Sequence, residues 1–431
     1  MLEHFVAVGQ QTMRCGYTTG TCAAAAALAA AKALLTGEFP AQVTIDTPAG
    51  IAVTVEIVDL ELTADHAACA VKKDGGDDID ATSGAKIRAV VSRISAGIEI
   101  DGGTGVGRVT KAGLDQPVGA SAINSVPRKM IEGALKKALS GRQGGLRAVI
   151  EVPGGAEIAK KTFNPRLGIE GGISILGSTG IVRPMSRQAL VDTTRAELKV
   201  RCAEGVKDLL LTPGNYGEAY IRDVLGLPLS QAVQCSNYIG AALDDAVRLG
   251  FSSVLLVGHL GKLTKLAAGI TDTHSRTADG RREVFVTHAA LQGAPVALLQ
   301  KLYEAPTTDA AVALLQEAGM LEPVLTAIAK AVGETLAHRA PDLETGAILF
   351  SQAAGVSVMT DHAPTLLARQ TRGRHKASPW CPRGGGAQRR RGSELSVIAD
   401  YNPSVRPSAC QLPFTGEPLE RIIHLYGRTI P

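Results

Sequence analysis

The sequence predicts an α/β protein made of two unlike parts and a tail. They are an α+β N-terminal domain (residues 1–195), a Rossmann-like parallel α/β domain (196–352) and a basic tail (353–431). Three observations predict this. The first part holds an Ala-rich helical stretch followed by alternating β-branched runs joined by short turns. In the second part, short apolar runs each lead into a Gly-rich or polar turn and then a helical stretch, the rhythm of a parallel sheet covered by helices. Beyond 352 that patterning stops: His362 to Ser393 carries eight Arg/Lys and no Asp or Glu, in Pro/Gly/Ser-rich text.

Each element has a local reason. Residues 21–35 have the highest helix propensity in the chain, and Gly37 and Pro40 stop the helix. AQVTIDTP and IAVTVEIV alternate around Ala49-Gly50, which predicts a β-hairpin. Further β-branched runs lie at 66–72, 87–94, 105–110 and 146–152. A helix fits 127–139, with Pro127 in its first turn and Met130, Ile131, Leu135 and Leu139 on one face. The second part supplies strands at 208–212, 231–235, 252–257 and 346–351, with helices filling 290–338. No internal repeat is evident.

Composition narrows the function classes. The chain has 431 residues, 45 Lys+Arg against 41 Asp+Glu and 45% hydrophobic residues, which excludes a largely disordered chain. Aromatics are only 3%, too few for rows of base-stacking platforms, so no nucleic-acid partner is expected. Seven cysteines without CxxC spacing or a His partner predict buried thiols in a reducing compartment and no metal site. The N-terminus lacks a signal-peptide pattern, and the longest apolar run, Cys22 to Ala31, is too short for a bilayer. A cytoplasmic protein with no membrane partner is expected.

Several segments can carry chemistry. In RCGYTTGTCAAAA, Thr18, Thr19, Gly20 and Thr21 open a helix of small residues, where unpaired N–H groups attract a carboxylate or phosphate. The plainer alternative is a capped core helix. KKDGGDDIDATSG crowds Asp74, Asp77, Asp78 and Asp80 into one turn, which predicts raised carboxylate pKa values suited to proton transfer. A solvated acidic turn explains it equally well. GGTGVG at 102–107 mimics a dinucleotide fingerprint but is followed by a strand, so that reading is rejected. Arg128 and Lys129 stand at a helix start. VLLVGHLGKLTKLAAGITDTHSR ends an apolar strand at Gly258-His259-Leu260-Gly261-Lys262, where a parallel sheet offers its ligand crevice. It is not a Walker loop. PGNYGEAY (213–220) is a similar loop with Glu218 available.

Taken together, these stretches resemble the CbiD family, the cobalt-precorrin-5B methyltransferases of anaerobic cobalamin biosynthesis. GYTTGTCAAAA, GGDD, GTGVGRVTK, AINSVPRKMI, FNPRLGIEGGISILGSTGIV, PGNYGE, CSNYIG and GHLGKLTKLAAG…THSR…AD follow in the family's order across residues 14–351. The departures are Ile79, Ala112 and Ser125 where Pro is usual, Ser83 for His or Asn, Asp272 for Asn and Gly280 for Ala.

The resemblance implies methyl transfer from S-adenosylmethionine to carbon 1 of a tetrapyrrole that carries its own cobalt, giving cobalt-precorrin-6A. The polycarboxylate substrate calls for cations, and Arg128, Lys129, Lys262, Lys265 and Arg276 are the candidates. Thr18–Thr21 together with Gly258, His259 and Gly261 are the candidate cofactor contacts. Asp77, Asp78 or His274 would handle the proton. A homo-oligomer and transient contact with neighbouring pathway enzymes stay open. Two other classes also remain: a carrier that shields a labile tetrapyrrole, and a phosphotransferase acting on an anionic substrate.

The net charge of +4 is unevenly placed. Residues 353–431 hold 11 Lys+Arg and 5 Asp+Glu, leaving 34 and 36 in residues 1–352. The body is slightly acidic, so substrate cations must be placed locally. Deleting 357–431 is expected to leave folding and methylation intact.

Overall fold

The computed structural model describes residues 2–372. A hairpin (Phe5–Val8 with Gln11–Arg14) leads into helix α1 (Thr19–Thr36). Thr18 caps α1, its hydroxyl accepting from the Thr21 N–H, and Gly37 ends it at φ 87°, a left-handed conformation that favours glycine. Then come hairpin β1 (Gln42–Asp46) and β2 (Ala52–Glu56), followed by β3 (Val58–Leu62), β4 (His66–Lys72), β5 (Lys86–Ile94) and β6 (Gly97–Gly102). Helix α2 (Ser125–Leu139) and β7 (Gly145–Glu151) complete the main elements of the first unit. Its sheet runs β3-β4-β5-β7-β6, antiparallel except for the β7–β6 pair.

Helix α1 is the axis of this unit. Every residue from Thr19 to Ala31 is buried, because α1 lies between α2, the β4–β5 face and the β1–β2 hairpin. Alanine there lets backbones approach from several sides at once, which bulkier side chains would prevent. The helix has the length and apolarity of a membrane span, yet protein encloses it. Its alanines, with Ile87, Val91, Ile131, Leu135, Leu146 and Ile150, form the first core.

The second unit begins in α3 (Arg187–Ala203). It continues through β8 (Asp208–Thr212), α4 (Asn215–Asp223), β9 (Ala232–Gln234), α5 (Ile239–Arg248) and β10 (Ser253–His259). After β10 come α6 (Arg281–Leu291), α7 (Val296–Glu304), α8 (Thr308–Glu317) and α9 (Leu321–Arg339). Strands β11 (Glu344–Ser351) and β12 (Val356–Met359) and helix α10 (Ala363–Arg372) follow. The sheet order is β9-β8-β10-β11-β12, parallel except for β12. β8, β10 and β11 read as continuous apolar runs because helices cover both faces.

Two boundaries differ from the sequence reading. Residue 195/196 falls inside α3, whose Leu198 belongs to the second core. Regular structure also continues past 352: β12 pairs with β11, and Ala363 and Leu366 of α10 are buried against the sheet. The short apolar text of VSVM and the basic charge of ARQTR hid both elements, since each has one face in contact and one in water. The rest of the expected tail, 373–431, lies outside the described residues.

Helix α4 sits unusually close to the strands. A Cβ on Gly217 would lie 1.8 Å from Thr212 Oγ1 and 2.8 Å from the Val257 carbonyl oxygen. Gly217→Ala is therefore expected to displace α4 and destabilise the protein by about 1–3 kcal/mol, measured by denaturant unfolding.

Candidate active site

The order β9-β8-β10-β11-β12 places a topological switch point between β8 and β10. In such sheets the ligand crevice lies beyond the carboxyl ends of the strands. Here it is built from Pro213–Tyr216 after β8, Cys235–Tyr238 after β9 and His259–Lys262 after β10. Gly258 keeps the last of these turns tight: a Cβ there would lie 3.0 Å from Leu263.

His259 is fixed rather than free. Its Nδ1 accepts the Gly261 N–H at 3.0 Å, capping the short helix 260–263. Its ring meets Phe350 edge-on at 5.7 Å between centroids and Tyr216 at 5.9 Å. With Nδ1 occupied, the proton of the neutral ring sits on Nε2, which lies 4.0 Å from Asp309 Oδ1. Asp309 in turn accepts the Ser351 hydroxyl at 2.6 Å. His274 repeats the arrangement, its Nδ1 accepting the Arg276 N–H at 3.1 Å. When neutral, each ring therefore presents its Nε2–H as a donor, and the Nδ1 lone pair of His274 is engaged by the Arg276 N–H.

Lys262 stands out among the cations. Its side chain is half-buried and has no hydrogen-bond or ion-pair partner among the described residues. Burial pushes its pKa below the ordinary lysine value. The neighbouring Cys235 thiol is pushed up to about 12 by burial, which makes it an inert neighbour rather than a nucleophile. The five described cysteines are free.

The other expected cations divide. Lys265 is fully buried, and its Nζ donates to the carbonyls of Thr273 at 3.2 Å and Ala278 at 2.8 Å. It fastens the 270–279 loop and offers nothing to a substrate. Arg128 is consumed likewise: its guanidinium donates to Ile123 O, Ile100 O and Ser121 Oγ, each at 2.9 Å. Lys129 is exposed on α2, and Arg276 is exposed on the 272–277 loop.

The Thr18–Thr21 turn is interior structure. Thr21 Oγ1 donates to Gly180 O at 2.7 Å, Thr19 Oγ1 accepts the Leu176 N–H at 2.9 Å, and the Gly20 N–H donates to Leu176 O at 3.1 Å. A Cβ on Gly20 would lie 2.8 Å from Pro127. The 174–180 segment therefore covers the helix start, and the Thr19 and Thr21 hydroxyls and the Gly20 N–H are engaged by its backbone. The capped-core alternative describes them.

The acidic turn is also partly spent. Asp74 takes a two-pronged ion pair from Arg14 at 2.6 and 2.8 Å, and that hydrogen bonding holds its carboxyl below the usual range. For Asp80, burial acts upward but is outweighed by Lys73 and Thr82, so its pKa is also lowered. Crowding does not raise these two, because each has its own cation. Asp77 and Asp78 differ. Asp77 Oδ2 accepts the Arg14 N–H at 2.6 Å and Asp78 Oδ1 accepts the Met185 N–H at 2.9 Å. The second oxygen of each has no partner among the described residues.

The two groups of residues meet along the boundary between the units. Two residues after Met185, Arg187 pairs with Asp272 and lies 5.7 Å from the Tyr238 ring centre. Asp272 accepts the His274 N–H at 3.2 Å, and the Thr273 N–H donates to Asn237 O at 2.9 Å. Arg276 reaches the tip of the first hairpin, where a Cβ on Gly9 would lie 3.8 Å from its Nη1. Asp77, Asp78, His274 and Arg276 thus border the same boundary, and Asn237 and Tyr238 join it to the crevice that holds His259 and Lys262. Sequence reasoning missed Tyr216, Asn237, Asp309 and Ser351. PGNYGE, as a strand-end loop, signalled the first, and CSNYIG, as a motif of the resemblance, the second.

The CbiD family profile matches residues 6–184 and that of the CbiD C-terminal domain matches 272–361. A Ruminiclostridium cellulolyticum protein named cobalt-precorrin-5B C(1)-methyltransferase is 46% identical, covering 79% of this chain and 89% of the relative. A Tolumonas auensis protein of the same name is 45% identical, covering 79% and 91%. The crystal structure of a cobalamin biosynthesis protein (CbiD) from Archaeoglobus fulgidus is 34% identical with a TM-score of 0.35, covering 64% of this chain and 86% of that one. The chain belongs to the CbiD family.

Proposed function

We propose that this protein is the methyltransferase that converts cobalt-precorrin-5B to cobalt-precorrin-6A by methylating ring carbon 1, with S-adenosylmethionine as donor. The observation that carries this is the 46% identity to a relative of that name along 89% of its length. A sulfonium donor supplies an electrophilic methyl: the sulfur–methyl bond breaks as the ring carbon's electron pair forms the new carbon–carbon bond.

The chain's task is placement. The crevice suits the donor, with Lys262 facing its carboxylate and the Nε2–H of His259 available to a ligand acceptor. The unit boundary suits the tetrapyrrole: Arg276 is an exposed cation for its acetate and propionate groups, and Lys129 is another on the first unit. The unpartnered oxygens of Asp77 and Asp78 take up a proton released when the methylated ring re-forms its conjugation. The cobalt travels with the substrate. Free thiols fit a reducing compartment such as the cytoplasm.

The test is transfer of a labelled methyl group from donor to tetrapyrrole by the purified full chain. Label in the product is expected, with turnover reduced at least about tenfold when Asp77→Asn and Asp78→Asn are combined. Tight macrocycle binding without label transfer would instead identify a carrier.

A further inference from the structure

Strand β9 is the edge of the second sheet, and an edge leaves backbone groups unpaired. Here Arg166 of the first unit covers it. Arg166 lies on a short helix, Asn164–Leu167, anchored from within: Asn164 Nδ2 donates to Gly172 O at 3.2 Å and its Oδ1 accepts the Ser174 hydroxyl at 3.3 Å. From that mount the guanidinium reaches three acceptors of the second unit. Nη2 donates to Ala232 O on β9 at 3.3 Å and lies 3.1 Å from Glu218 Oε1 on α4. Nε lies 3.6 Å from Glu197 Oε1 on α3.

These contacts bracket the crevice. Glu218 stands in the first turn of α4, and its N–H closes the Gly214 turn at 3.1 Å. Glu197 is almost fully buried, and its Oε1 has no hydrogen bond among the described residues, so Arg166 is a cation facing that oxygen from across the boundary. Arg201 of the same helix also faces the carboxyl, but its Nη1 is taken by Glu204 at 2.8 Å. A planar fork spans three acceptors on β9, α3 and α4. A lysine, with one point charge, does not.

We propose that Arg166 is a positioning residue: through Glu218 and Glu197 the first unit fixes the Gly214–Glu218 turn against the crevice, so that the turn is set for the donor only when the two units are docked. The donor part of this inference rests on the methyl-transfer reading; the docking part does not.

Two readouts separate them. Hydrogen exchange of the full chain is expected to quicken at least about tenfold across 213–220 in Arg166→Met and to change little in the first core. Unchanged exchange there overturns the proposal whatever the protein catalyses. In turnover assays, Arg166→Met is expected to raise the donor KM about tenfold and keep kcat within about twofold. Arg166→Lys should fall between, and Glu218→Gln added to Arg166→Met should cost little more, because both break one contact. An unchanged donor KM, or fully additive effects, overturns the proposal. Should Arg166→Met fail to fold, Arg166→Lys and Glu218→Gln carry both measurements. A wild-type chain that transfers no methyl group refutes the functional reading and leaves the exchange experiment decisive.

Discussion

A chain ending at residue 356 is expected to lose soluble, cooperatively folded protein, whereas one ending at Arg372 keeps it. This reverses the expectation that everything after 356 is dispensable. Truncation at 356 removes almost all of β12, so β11, whose residues Thr345–Ser351 are buried, becomes an open edge. It also removes α10, whose Ala363 and Leu366 seal the face formed by Leu210, Leu255, Ile348 and Phe350. Three polar ties go as well: Thr360 Oγ1 to Ala347 N at 2.8 Å, Gln370 Nε2 to Asp208 O at 2.9 Å and Arg369 to Glu344 at 2.6 Å. Each fully buried side chain of leucine size contributes about 1.5–3 kcal/mol. Leu366 is lost outright, and Leu210, Leu255, Ile348 and Phe350 lose their cover; together these take a large share of a net stability of about 5–15 kcal/mol, and the bared apolar edge favours aggregation. Soluble yield and thermal unfolding of the two chains decide it. Equal stability would show that β12 and α10 contribute nothing to the core.

Lys262→Met is expected to weaken donor binding and methyl transfer about 30- to 5000-fold without loss of stability. Removing one member of a desolvated charge pair costs about 2–5 kcal/mol, and in the proposed complex the donor's carboxylate is the other member. Lys262 has no hydrogen-bond or ion-pair partner among the described residues, and burial lowers its pKa, so the ammonium opposes folding. The sign follows from linkage. Between the lowered folded value and the ordinary 10.5, the unfolded chain holds the proton longer, so stability rises with pH through that window. Lys262→Met removes that slope and leaves the melting temperature equal or higher. Equilibrium titration with S-adenosylhomocysteine, beside melts at several pH values, reads both effects. Unchanged affinity would remove Lys262 from the site.

Periodicity served well where one side of an element is in water or where a strand is buried on both faces. The β1–β2 hairpin, β4, β5, β7, β8 and β10 all form close to where alternation or apolar runs place them. It served poorly where a residue's use depends on a distant partner. Arg128 reads as a free cation at a helix start, but the carbonyls of Ile100 and Ile123 claim it. Lys265 reads the same way and is closed in by Thr273 and Ala278. The crowded aspartates promise raised pKa values, but Arg14, 60 residues before Asp74, and Lys73 of the same segment claim Asp74 and Asp80.

By itself the sequence determined the α/β class, the Ala-rich helix, the strand-end glycine turns and the resemblance to CbiD. All of these depend on neighbours within a few residues or on the order of short motifs. The tertiary structure decided which polar groups remain available. It spends Thr18–Thr21, Arg128 and Lys265 on the protein's own backbone, and among the described residues it leaves Lys262, Arg276 and single oxygens of Asp77 and Asp78 unclaimed. A hydrogen-bonding group is free only if no partner reaches it, and partners as far apart as Thr21 and Gly180, or Asp78 and Met185, meet only once the chain has folded.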